Sequence, residues 1–126
     1  DASKRARMGA AAAELADFTL LTSDNPRRES AEDILAQIAA GFGAASAERF
    51  RIEPDRQRAI DEMLRLAQPG DTVLIAGKGH ETYQEFADTV VPFDDRLHAR
   101  ETLELLGWRA RPTPRGRRRK KAGEKR

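Results

Sequence analysis

Apolar positions fall in short blocks along this chain, separated by turn residues, and the blocks alternate between helical and extended spacing. Residues 8–16 are Ala-rich and offer little large apolar surface, which predicts a helix with a weak packing face. The block 18–23, FTLLTS, is short, apolar and rich in Thr, and Asp24-Asn25-Pro26 stops it with turn chemistry, so it reads as a strand followed by a loop. Ser30 then stands where a helix cap belongs, with Asp33 in the place of the usual Glu, and Ile34, Leu35, Ile38 and Phe42 follow at helical spacing until Gly41 and Gly43.

Residues 49–53 alternate apolar and polar, as a strand with one wet face does. Asp55 is placed to cap a helix carrying Ile60, Met63, Leu64 and Ala67 on one face, closed by Pro69-Gly70. Residues 71–76 form an apolar run between Gly signals, the pattern of a strand covered on both faces. Gly77-Lys78-Gly79-His80-Glu81 follows at once. Asp94 or Asp95 caps a last helix in which Leu97, Leu103 and Leu106 share a face, and Gly107-Trp108 closes the folded part. This order predicts an α/β fold with an open, mostly parallel sheet and helices on both faces, in which ligands sit beyond the carboxyl ends of the strands. Both unusual loops begin where an apolar strand stops, which places them on one edge.

The 126 residues fit one domain, residues 1–108, followed by a Pro-, Gly- and Arg-rich extension at 109–126 that reads as a disordered basic tail. Net charge is +2, but the extension carries ten Lys/Arg and one Glu, leaving 13 basic against 20 acidic residues in the body. The basic balance therefore describes the tail, and with no aromatic residues among its cations and no folded reader around it, it argues against nucleic acid as a partner. Cysteine is absent, which removes disulfides, thiolate metal sites and thiol nucleophiles and agrees with a cytoplasmic location. No apolar run approaches the roughly 18 residues of a membrane helix, and no signal peptide opens the chain, so no membrane partner is expected.

Two constellations can carry chemistry. Asp24-Asn25-Pro26-Arg27 sets a carboxylate, an amide and a guanidinium on a Pro-stiffened turn, with Arg suited to bidentate carboxylate or phosphate recognition and Asn able both to donate and to accept; the plainer reading is a turn that caps the next helix, with Arg27 solvated. The Gly77–Glu81 loop lets the backbone approach a ligand and supplies a carboxylate for an amine, with an ordinary strand-to-loop turn as its plainer reading. Neither GxxxxGK[ST] nor GxGxxG occurs, so this chain alone has no nucleotide motif. His80 shares the chain with only His98 and no Cys, a poor basis for a metal site.

Taken in order, DNPRRE after one strand, AGKGHETYQ after a later one and FDDR at the last helix resemble the C-terminal domain of the diaminopimelate-adding branch of the Mur ligase family. The resemblance runs from about Lys4 to Trp108. It implies a Rossmann-like fold and an amide-forming ligase of peptidoglycan precursor synthesis that joins meso-diaminopimelate to UDP-MurNAc-L-Ala-D-Glu while splitting ATP with Mg²⁺. It assigns Asp24, Asn25 and Arg27 to the distal carboxylate and amine end of diaminopimelate, and Gly77 and Glu81 to the same substrate, Glu81 holding an ammonium. No residue of this chain is implied as catalytic. Asp1 matches the last Asp of a family segment whose preceding Arg would lie outside the chain, and Ala6 departs from the family's Pro. The resemblance thus implies a domain lacking its first strands, with ATP, Mg²⁺ and the UDP-MurNAc dipeptide bound mainly elsewhere and this piece inactive by itself. The alternative is a binding-only module that keeps the amino-acid pocket without catalysis.

Overall fold

A computed structural model describes residues 2–110. Helix α1, Arg5–Leu15, leads into strand β1, Thr19–Leu21, and the DNPR loop carries the chain to α2, Ala31–Ala39. A 3-10 turn at Ala40–Phe42 and a second at Ala44–Arg49 precede β2, Phe50–Ile52, and α3, Arg56–Leu66. The second half holds β3, Tyr83–Glu85, β4, Val90–Pro92, and α4, Asp95–Leu105. The expected basic extension lies, from residue 111 onward, outside the described residues.

Strands β1 and β2 pair in parallel with Leu20 opposite Arg51, as expected for a strand-helix-strand unit. Leu21 then meets Leu35 of α2 and Phe42, with Ala12, Ala13, Ile38, Ala39 and Phe50 packed around them. The Phe42 and Phe50 rings lie 4.4 Å apart, tilted. Three helix starts are capped as their sequences indicate: Ser30 Oγ accepts from Asp33 N at 3.3 Å, Asp55 Oδ1 from Arg58 N at 3.2 Å, and Asp94 Oδ1 from Arg96 N at 3.0 Å.

The Ala-rich sequence of α1 has a packing purpose. A Cβ at Gly9 would stand 1.9 Å from the Ile38 carbonyl oxygen, and one at Gly41 would stand 1.9 Å from that of Ala6. Small residues let α1 lie backbone to backbone on α2 and the turn after it, so the helix packs tightly although it has little large apolar surface.

Two expectations are corrected. Residues 71–76 join no ladder among the described residues, and Leu74 is 85% exposed. A strand covered on both faces needs neighbours on both edges and both faces, which the described residues do not supply. The ladders among the described residues are the parallel β1–β2 pair of the α/β unit and an antiparallel hairpin of β3 and β4, closed by Phe86 N donating to Thr89 O at 2.8 Å. Finally, α4 does not turn a leucine face inward. Leu97 is half exposed, while Asp95 and Thr102 are buried, and Asp61 of α3 accepts from Thr102 Oγ1 at 2.7 Å and lies 2.8 Å from His98 Nε2. Satisfied polar pairs hold α3 and α4 together where the sequence suggested apolar contact.

Candidate functional site

The DNPR loop leaves β1 and is bound directly to the second loop and to β3. Asn25 is the hinge of this junction: its Nδ2 donates to Glu81 Oε1 at 3.2 Å, and its Oδ1 accepts from the Glu85 backbone N–H at 2.9 Å and from Lys78 Nζ at 3.4 Å. Lys78 has a fully buried side chain, and its ammonium also binds Asp24 Oδ1 at 3.0 Å and the Tyr83 carbonyl. A buried ammonium needs such partners, and here they come from the DNPR loop and from β3. Gln84 completes the seam, donating to Ser23 Oγ at 3.3 Å and to the Asp24 carbonyl at 2.9 Å.

Gly77 sits against Asp24. Its φ of +112° is a conformation open to glycine, and a Cβ there would lie 3.9 Å from Asp24 Oδ2. Arg27 also has positive φ, +54°, which costs a non-glycine residue about 1–2 kcal/mol. The conformation is held by a parallel bridge to Phe86, in which Arg27 N donates to Glu85 O at 3.1 Å. The side chain is 63% exposed, and among the described residues its hydrogen bond is from Nε, which donates to Glu85 Oε2 at 3.2 Å. Its terminal nitrogens are left to a cleft of about 530 Å³ lined by Arg5, Asn25, Arg28, Glu29 and Phe86 among others.

The structure thus brings Asp24, Asn25, Gly77 and Glu81 to one junction, with Arg27 on the wall of the adjoining cleft. His80 is exposed and takes no part. Lys78, in the sequence simply a member of the second loop, ties that loop to Asp24, Asn25 and the Tyr83 carbonyl. In the sequence pattern Arg56 reads simply as part of its helix, and Asp95 reads there only as a possible cap. The Arg56 guanidinium is 3% exposed, pairs with Asp95 through Nε at 2.7 Å and Nη2 at 2.6 Å, and donates to the carbonyls of Ser23 at 3.0 Å and Ala76 at 3.2 Å. The signal available beforehand was a charged residue on the apolar side of α3, four positions before Ile60.

At the wall of the cleft, Arg5 of α1 grips Glu29 with two hydrogen bonds of 2.8 Å and Gln37 with a third, also 2.8 Å. The hydrogen bond from Arg5 holds the Glu29 carboxyl below its ordinary pKa. A carboxylate depressed in the folded state stabilises it above the unfolded pKa and loses that contribution as pH falls through the folded value. Arg5→Gln should therefore lower the melting temperature at neutral pH, and the difference from wild type should close as a melting series is carried below the carboxylate range.

Among the described residues no group of three carboxylate or imidazole side chains is placed to hold a metal ion, and the sequence has no phosphate-binding glycine loop. What the described arrangement offers is carboxylate oxygens suited to an ammonium and guanidinium nitrogens suited to a carboxylate.

The chain belongs to the Mur ligase family: the family described as "Mur ligase, glutamate ligase domain" matches residues 1–79. Over 103 residues it is 52% identical to the UDP-N-acetylmuramoyl-L-alanyl-D-glutamate–2,6-diaminopimelate ligase of Synechococcus elongatus, covering 82% of this chain and 20% of that protein. The ligase of the same name from Solibacter usitatus is 46% identical over 108 residues, 86% of this chain and 22% of its own length. A solved structure of a ligase so named matches with a TM-score of 0.78 and 40% identity, covering 86% of this chain and 22% of that one. The fold is thus the Rossmann-like α/β domain of these ligases, and the chain spans about a fifth of the length of the relatives it matches.

Proposed function

We propose that residues 1–108 form the amino-acid-binding domain of an ATP-dependent ligase that adds meso-diaminopimelate to UDP-MurNAc-L-Ala-D-Glu. The observation that carries this reading is the junction at Asn25, which joins the DNPR loop to the Gly77–Glu81 loop beside a cleft with arginines at its wall. In this reading Arg27 takes the distal carboxylate of diaminopimelate with its terminal nitrogens, and the remaining Nδ2 hydrogen of Asn25 supports it. Glu81 and Asp24 each keep a carboxylate oxygen with no partner among the described residues, fit to accept from an ammonium. Gly77 admits the ligand close to the backbone. Lysine would leave the Arg27 fork without an anion, so the loop selects by an unmatched charge as well as by a matched one.

ATP supplies the activation of the dipeptide carboxylate in such a ligase, with Mg²⁺ offsetting phosphate charge, and both are bound mainly by parts outside this chain. The part played by these residues is to hold the incoming amine in an attacking geometry, an entropic contribution. Such a ligase works in the cytoplasm, where its nucleotide substrates are made.

The reading is tested by ADP release from the complete ligase with meso-diaminopimelate or L-lysine as acceptor. Diaminopimelate should be the strongly preferred amino acid. Equal use of lysine would overturn the substrate assignment, and diaminopimelate binding without turnover would leave a binding-only module.

A further inference from the structure

We propose that Arg56 is a positioning residue for amino-acid binding: its guanidinium fixes the spacing of the two loops by holding the last carbonyl before each of them. The inference rests on the diaminopimelate reading above for its kinetic part and on this chain's geometry for the rest. Ser23 immediately precedes Asp24, and Ala76 immediately precedes Gly77, so each carbonyl that Arg56 binds is one peptide unit from a proposed ligand residue. Asp95, the first residue of α4, orients the fork by taking Nε and one Nη2 hydrogen, which turns Nη1 toward Ser23 and the other Nη2 hydrogen toward Ala76.

Stability alone is a poor reason for this arrangement. A cation in the first turn of α3 has the wrong sign for the helix dipole, and burial of both charges is costly, so an apolar pair could fill the same volume at little or no loss of stability. What an apolar pair cannot do is donate in one plane to two carbonyls. Lysine could pair with Asp95 but lacks the fork that reaches both carbonyls. Among the described residues, 71–76 have no ladder to fix their height relative to β1, so the guanidinium is a direct tie between the ends of the two segments.

The test uses Arg56→Lys and the double variant Arg56→Met/Asp95→Leu, which removes the fork without stranding a buried charge. In the chain itself, hydrogen exchange is read at the amides of Arg27 and Glu85, which bond across the junction and do not touch Arg56. Their protection should fall about tenfold or more in both variants, while amides within α1 and α2 keep theirs. In the complete ligase the KM for diaminopimelate should rise about tenfold or more, with the KM for ATP within about twofold of wild type. A folded variant with unchanged protection at Arg27 and Glu85 and an unchanged KM for diaminopimelate would overturn the proposal. Should the double variant not fold, Arg56→Lys decides by the same two readouts. If the wild-type ligase prefers lysine, the substrate reading fails, and the exchange arm still decides the positioning role.

Discussion

Arg27→Ala in the complete ligase should lower kcat/KM for meso-diaminopimelate by about 30-fold while changing that for lysine far less. In the proposed complex the substrate's extra carboxylate loses a charge-assisted partner, and truncating one side of such a pair costs from about 2 kcal/mol upward. The low end applies because the Arg27 side chain is 63% exposed, so water and salt already weaken the pair. Lysine has no carboxylate at that end, and the variant removes a guanidinium that it cannot satisfy. Measuring both acceptors at saturating ATP gives the selectivity ratio directly; a ratio equal to that of wild type would make Arg27 a turn residue only. Arg27→Gly separates the two roles of this position. It should lose selectivity to the same degree and yet raise the melting temperature, because glycine takes φ of +54° without strain.

Gly9→Ala should destabilise the chain by about 2–3 kcal/mol, opposite in sign to its effect in an isolated helix. Inside a free helix the change gains up to about 1 kcal/mol by propensity. Here the new methyl would meet the Ile38 carbonyl oxygen at 1.9 Å, and that atom is backbone in α2, so one helix must move away from the other. For a domain of this size the melting midpoint should drop by about 10 °C or more. Gly41→Ala should behave alike, since its methyl would meet the Ala6 carbonyl at the same distance. A midpoint at or above that of wild type for both variants would mean that the helices are not in backbone contact.

These cases show where the sequence was legible. Caps at Ser30, Asp55 and Asp94 could be read because a cap is a local bond between residues a few positions apart. Convergence of the DNPR and Gly77–Glu81 loops is expected from the order of strands and loops, and the two do meet, through Asn25, Asp24 and Lys78 and without a described ladder between β1 and residues 71–76. Arg56 could not be read that way, because its partner Asp95 is 39 positions on and the carbonyls it binds belong to no motif. Gly9 was hidden for a related reason: an Ala-rich stretch looks the same whether it faces water or another backbone. The β3–β4 hairpin has three-residue strands and a turn without glycine, so neither alternation nor turn chemistry marked it. For 71–76 the composition was read correctly and its setting was not, because a run of apolar residues specifies a need for neighbours and cannot supply them.

That unmet need separates two kinds of fragility. Heating the chain strains the α1–α2 contact and the α3–α4 polar pairs, and its effect is independent of how much protein is in the tube. The stretch Thr72-Val73-Leu74-Ile75-Ala76, free of charge and proline and with Leu74 turned to water, responds to crowding by other copies instead, since uncapped apolar β-formers associate through their own backbones. Handling losses of this chain should therefore follow concentration more closely than temperature, and a charge placed at Leu74 would act on the first without touching the second.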